Sequence, residues 1–251
     1  MGHERVGTLP KSKQWRQIVQ GMSGSYVNPT LVSSVASDTL GLVKGQLKAA
    51  ENDAAVREAF AFLVRVSVAA RSNGVGELVG KSNDADPSTL SLAIALRRHV
   101  ADFNGNPEYT VIAQDAAIDA LGRWHRQEAS GGTESLFADE GIKQSVWQRL
   151  GNGEGFSELS RLYFSSFTAR YLNFFLEREA GTALPNLGAR QAFEAEISKH
   201  AFESSKITQS FAAAWFKKHA ADRDPTSKEV RGFVAHAFGK MRDELNREGT
   251  R

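Results

Sequence analysis

The sequence predicts an all-α protein, an irregular or orthogonal bundle of about eight to ten helices. Three observations lead there. Apolar residues recur at helical spacing along almost the whole chain. A polar cap followed by proline marks helix starts at Asn28-Pro29, Asp86-Pro87 and Asp224-Pro225. Hydrophobic residues make up 41% of the 251 and charged residues 24%, a balance that forms a core and argues against disorder.

The first helix is expected from about Ser12 to Met22, with Trp15, Ile18, Val19 and Met22 on one stripe. Asn28-Pro29 opens a second, carrying Leu31, Val32, Val35, Leu42, Val43 and Leu47, with Gly41 and Gly45 as weak points. Asp53 caps a third, Ala54 to about Arg71. Its middle, Phe60 to Ala70, is apolar nearly all round, as in a helix central to a core, and its β-branched content leaves a strand as the alternative.

A polar, Gly-rich loop is expected from Ser72 to Asp86. A fourth helix then carries Leu90, Ile94, Leu96, Val100 and Phe103. Asn104-Gly105-Asn106-Pro107 breaks the chain before a fifth, Tyr109 to Gln127. The sixth is expected over Glu140 to Leu150. The seventh, Ser157 to about Glu179, is the most aromatic. Arg190 to His219 reads as two helices or one bent helix, and the last runs from Asp224-Pro225-Thr226 to the end through Val230, Phe233, Phe238, Met241 and Leu245. Residues 1–251 are expected to form a single helical domain, with a subdomain break at the glycines of 151–155 dividing 1–150 from 156–251.

Several chemistries fall away. Without cysteine there is no disulfide, thiolate catalysis or Cys-ligated metal. The six histidines lack the spacing of a zinc motif, so no metal and no cofactor is expected. Glu196 and His200 read as a surface pair one turn apart, and His219, Asp222 and Asp224 as charges at a helix end. Gly74, Gly76, Gly80, Lys81 and Ser82 approach a phosphate-binding loop, but the glycine spacing fails and no helix starts at the lysine. Gly21, Ser23 and Gly24 have the wrong spacing for a nucleophile elbow, and Asp139-Glu140 and Glu194/Glu196 do not face each other on a helix. The reading therefore leans away from an enzyme, with a site assembled from sequence-distant residues as the alternative. The polar, basic opening lacks a secretory signal, and Phe60 to Ala70 is far shorter than the roughly 20 residues that span a bilayer, so a cytoplasmic protein without membrane contact is expected.

Basic clusters are the clearest binding signal. Lys11, Lys13 and Arg16 stand beside Trp15; Arg97 and Arg98 beside His99; Arg123 and Arg126 around Trp124-His125; Lys217 and Lys218 beside His219. Such groups neutralise phosphates, and aromatic faces stack on bases, although cations at helix C-termini also simply complement the dipole. A net charge of only +2 weakens the nucleic-acid reading. In the aromatic helix, Tyr163, Phe167, Tyr171 and Phe174 exceed one buried stripe, so they are candidates for docking a protein partner as well as for the core.

The opening LPKSKQWRQIV (9–19) and the ending VRGFVAHAFGKMRDELNRE (230–248) resemble helical accessory proteins of bacterial anti-phage defence operons. The resemblance covers about the first 20 residues and the C-terminal third, and it implies an accessory subunit working beside an ATPase or nuclease. No site residue carries over from it. The leading expectation is a non-catalytic interaction or adaptor subunit of a bacterial multiprotein complex with protein partners. Non-sequence-specific nucleic-acid binding is the alternative.

Overall fold

The computed structural model describes residues 13–25, 34–36, 38–39, 47–80, 86–131, 145–220 and 223–248. Among them are eight α-helices with two 3₁₀ helices and no strand: an all-α multi-helix bundle. The helices are α1 (Lys13–Ser25), α2 (Ala54–Ala70), α3 (Thr89–Ala101), α4 (Pro107–Gly131), α5 (Gly153–Ala183), α6 (Leu187–Ser204), α7 (Lys206–His219) and α8 (Ser227–Glu248). The 3₁₀ helices are η1 (Gly74–Val79) and η2 (Gln148–Gly151). Residues 34–36, 38–39 and 47–52 are also helical, and Val35 and Leu47 are buried there; the rest of the expected second helix lies outside the described residues. No helix among the described residues is long and apolar enough to cross a membrane.

Local chemistry starts the helices, though not always at the expected residue. Asp53 has extended backbone, and its Oδ1 accepts from the amides of Ala55 (2.9 Å) and Val56 (3.2 Å), so Phe60 to Ala70 is helix rather than strand. Its other oxygen accepts from the Asn106 amide at 2.7 Å and ties the turn before α4 to the start of α2. Before α3 and α8 the cap is the hydroxyl residue after the proline. Ser88 Oγ accepts from Ser91 N at 3.1 Å. Thr226 Oγ1 accepts from Glu229 N (3.3 Å) while Glu229 Oε2 accepts from Thr226 N (2.7 Å), a reciprocal capping box. The expected cap–proline order occurs instead at Asn106-Pro107, where Asn106 Oδ1 accepts from Glu108 N and proline is the first residue of α4. Asn186 caps α6, and Ser205 separates α6 from α7, so Arg190 to His219 belongs to two helices.

Two expected segments are corrected. The loop after α2 contains η1, and Gly80 turns the chain with a left-handed φ of 73°. Val146 to Leu150 is a turn followed by η2 rather than the end of an α-helix; residues 140–144 lie outside the described part.

Helix α5 packs against α1, α2, α4, α6 and α7, while α2 also meets α3, α4 and α8. The aromatics hold these layers together. Phe60 of α2 stacks on Phe233 of α8 at 5.1 Å, and Tyr163 and Phe164 of α5 lie at 5.4 and 5.2 Å. Phe156 stacks on Phe216 of α7 at 4.7 Å. Tyr163 donates to the Val56 carbonyl at 3.1 Å, and burial pushes its phenol pKa well above the usual range. On α1, Ile18 and Met22 are buried as expected; the side chains of Trp15 and Leu245 lie outside the described part.

Candidate functional site

Helix α2 has an inner face and an outer face. Phe60, Leu63 and Ser67 point inward. Ala54, Arg57, Glu58, Ala61, Arg65 and Val68, spaced i, i+3, i+4, i+7, i+11 and i+14, line a groove of about 400 Å³ along its outer side. One wall is the end of α3 with His99 and Phe103. The other is the start of α8 with Pro225, Val230 and Arg231. Alanines and valines form the floor. The small Ala54 and Ala61 leave it open, and the long Arg57, Arg65 and Arg231 side chains rise around it. From Ala54 to Val68 the groove follows α2 for about 21 Å at a rise of about 1.5 Å per residue.

His99 organises one end. Its Nδ1 lies 3.3 Å from a guanidinium nitrogen of Arg65, and its Nε2 lies 3.2 Å from Glu58 Oε2. A guanidinium only donates, so Nδ1 accepts and Nε2 carries the proton that it donates to Glu58. The imidazole is thereby held neutral. Its pKa is lowered below the ordinary 6.5, first by burial and then by the Arg65 charge, against the opposing pull of Glu58 and Asp102. Phe62 and Phe103 flank the ring at 5.8 and 5.5 Å. Arg57 and Arg231 line the groove and form no ion pair among the described residues. Ser227 also lines it, and among the described residues the hydrogen-bond partners of His99 are Arg65 and Glu58.

The neutral histidine makes stability depend on pH. The unfolded chain takes up a proton near the ordinary histidine pKa of 6.5, and the folded chain only at lower pH. Between those two values the unfolded state binds more protons, so stability rises with pH across the window and is lost as pH falls through it. Urea titrations from about pH 7.5 down to about pH 5 should show this slope, and His99→Gln should flatten it. An unchanged slope in the variant would assign the effect to other groups.

The acidic start of α8 is fixed separately. Glu229 accepts from Arg223 at 2.9 and 2.5 Å and lies 2.8 Å from His219 Nδ1. With the Thr226 amide, these contacts hold its carboxyl well below the usual range. His219 thus pairs with Glu229, while Asp222 lies outside the described residues.

The residues singled out from the sequence are dispersed. Lys13 and Arg16 are exposed on α1, and Lys11 lies outside the described residues. Arg97 faces Asp115 at 3.7 Å, and Arg98 borders a separate depression with Leu78, Val79 and Ile94. Lys217 and Lys218 are exposed in the last turn of α7. Arg123 and Arg126 do converge, beside Leu162 and Phe202. Trp124 between them points inward, fully buried, and donates from Nε1 to the Val146 carbonyl at 3.1 Å, so it offers no stacking face.

The docking expectation for helix α5 is corrected. Tyr163, Phe167 and Tyr171 are 0% exposed, and their rings pack on one another and on Phe60 and Phe238. Phe174 is half-buried against Phe175. A helix in contact with five others needs aromatics all round, which accounts for the surplus. Glu196 meets Lys199, and His200 is buried. Gly74–Val79 is 3₁₀ helix, while Lys81, Ser82, Asp139 and Glu140 lie outside the described residues. Among the described residues there is no group of three or more His, Asp or Glu side chains placed to hold a metal ion.

The groove itself was missed because the middle of the helix, Phe60 to Ala70, reads as apolar nearly all round. The signal was present in Arg57, Ala61, Arg65 and Val68, which recur on a stripe of small and basic residues. Compared with known proteins, the chain matches no family model, no curated protein and no solved structure.

Proposed function

We propose that this chain is a non-catalytic interaction subunit that receives an acidic, amphipathic segment of a protein partner in the α2 groove. The observation that carries the reading is the pairing of an apolar floor (Ala61, Val64, Val68, Val230) with the unpaired guanidinium groups of Arg57 and Arg231 on its rim. An amphipathic helix laid along such a floor buries its apolar stripe and places its carboxylates against the arginines. Among the described residues, the carboxylates lining the groove are Glu58, engaged by His99, and Asp224. The resemblance at residues 9–19 and 230–248 adds the setting: a cytoplasmic multiprotein complex of bacterial anti-phage defence, in which the partner is an ATPase or nuclease subunit. Residues 230 and 231 of that stretch line the groove.

The test uses a fluorescent acidic amphipathic peptide of about 20 residues, with leucines on one face and glutamates on the other. Binding should weaken about tenfold or more in the Arg57→Glu, Arg231→Glu double variant, because each rim charge then repels the ligand. Ala61→Trp should block the floor without altering the rim. A basic peptide with the same apolar face is the control. Equal binding of both peptides, or no response to either variant, would remove the groove as the docking site.

A further inference from the structure

The Arg123–Arg126 pair belongs to a second, differently built site. Phe202 of α6 is half-buried, and the guanidinium of Arg161 from α5 lies 3.8 Å from its ring centroid. Arg161 is held there: Nε and one terminal nitrogen donate to the Phe202 carbonyl at 3.3 and 3.1 Å, and the other donates to Gln209 Oε1 at 3.4 Å. The same residue thus stacks on the ring and grips its backbone, fixing Phe202 as a platform. Beside it α4 presents Arg123, whose guanidinium carbon is 5.8 Å from the Phe202 centroid, and Arg126 one turn on. These residues, with Gln127 and Leu162, line a depression of about 260 Å³ with no carboxylate among its described lining residues. The acids flanking it on α4 are committed elsewhere, Asp119 to Arg170 and Ser166, and Glu128 to Arg149.

We infer that this depression binds a nucleoside phosphate unit, either as a free nucleotide or within a single strand. Arg123 and Arg126 are two cations at i, i+3, a spacing that brings both to one phosphate group. The pinned Phe202 ring, with Arg161 over it, lines the depression and offers apolar aromatic contact to the base, and the Gln127 amide offers both a donor and an acceptor to its edge. A base inside a duplex has no free face, so the site selects an unpaired one. Among the described residues, the groove along α2 has no such ring-and-guanidinium pair.

The probe is a fluorescein-labelled oligo-dT of about 12 nucleotides, titrated with the whole chain at roughly 50 and 200 mM salt, with a duplex of the same length beside it. The single strand is expected to bind more tightly than the duplex. Arg123→Ala, Arg126→Ala should weaken binding about tenfold or more, and should reduce the slope of log K against log salt by roughly 1.4, two contacts at about 0.7 each. Phe202→Leu keeps the volume apolar and removes the ring, and a loss of roughly fivefold or more is expected. Circular dichroism of each variant controls for folding. Unlabelled ATP, unlabelled oligo-dT and inorganic phosphate are the competitors. Displacement by ATP assigns the site to free nucleotides, and displacement by oligonucleotide alone assigns it to a strand; either supports the inference. No binding at the lower salt, equal binding by the double-arginine variant, indifference to Phe202→Leu, or phosphate competing as well as ATP would overturn it.

Discussion

Gly155→Ala is expected to destabilise the fold by about 3 kcal/mol or more, at or beyond the upper end of ordinary overpacking. Helix α5 starts where η2 ends, and Asn152 joins them: its Oδ1 accepts from Gly155 N at 2.9 Å and its carbonyl from Phe156 N at 3.0 Å. A Cβ on Gly155 would fall on the carbonyl group of Arg149, 2.6 Å from its carbon, and 3.0 Å from Leu150 Cα. Both obstacles are backbone, so no rotamer change relieves them. Moving η2 would unseat Leu150, which is fully buried, and would shift Gly151, whose own Cβ position lies 2.8 Å from the Arg71 amide nitrogen. Glycine is needed here for close approach, since its φ is not in the left-handed region. Gly232→Ala is the internal control. That glycine lies inside α8 with open space at its Cβ position, so the same change should stabilise by about 0.5–1 kcal/mol. Urea unfolding of both variants measures the contrast. Equal midpoints for Gly155→Ala and the unmodified chain would show that the η2–α5 junction shifts freely.

The helical class was legible because it rests on periodicity, which each segment carries within itself. Helix α2 illustrates both the reach and the limit of that signal. Asp53 is recognisable as its cap, and Phe60 to Ala70 as central, from the sequence alone. Which residues on its outer side stay uncovered depends on where α3 and α8 end, and no local pattern records that. Cap positions slipped for a related reason. Asp86-Pro87 and Asp224-Pro225 look like caps followed by a first-turn proline, yet Ser88 and Thr226 beyond each proline have hydroxyls that reach the third helical amide. The aromatic excess of α5 could not be apportioned between core and surface without knowing that five helices surround it. Arg123 and Arg126 were visible as a basic pair, whereas Phe202, Arg161 and Gln209 reach them only through the packing of α6 and α7 on α5.

Phe60→Ala is expected to cost about 3–5 kcal/mol, the range for deleting a buried phenyl ring whose surroundings cannot collapse. Phe60 is fully buried, and its neighbours come from two other helices, Phe233 from α8 and Phe156, Tyr163 and Phe164 from α5. The near-parallel stack on Phe233, 6° between planes, is a direct contact joining α2 to α8. That contact lies behind the groove, whose floor and one wall are the outer sides of the same two helices. Removing the ring should therefore act twice. It should lower the unfolding free energy, and it should let the start of α8 shift against α2, so that the acidic peptide binds more weakly although no groove residue has changed. Phe60→Leu retains most of the volume and should cost less on both measures. Helix α7 provides the comparison: Phe216→Ala opens a cavity against Phe156, whose ring also meets Phe60 and Phe233, and should destabilise while leaving the Phe60–Phe233 stack itself in place. If peptide affinity falls equally in the Phe60 and Phe216 variants, the loss reflects global stability. If it falls only with Phe60, the α2–α8 contact sets the width of the groove.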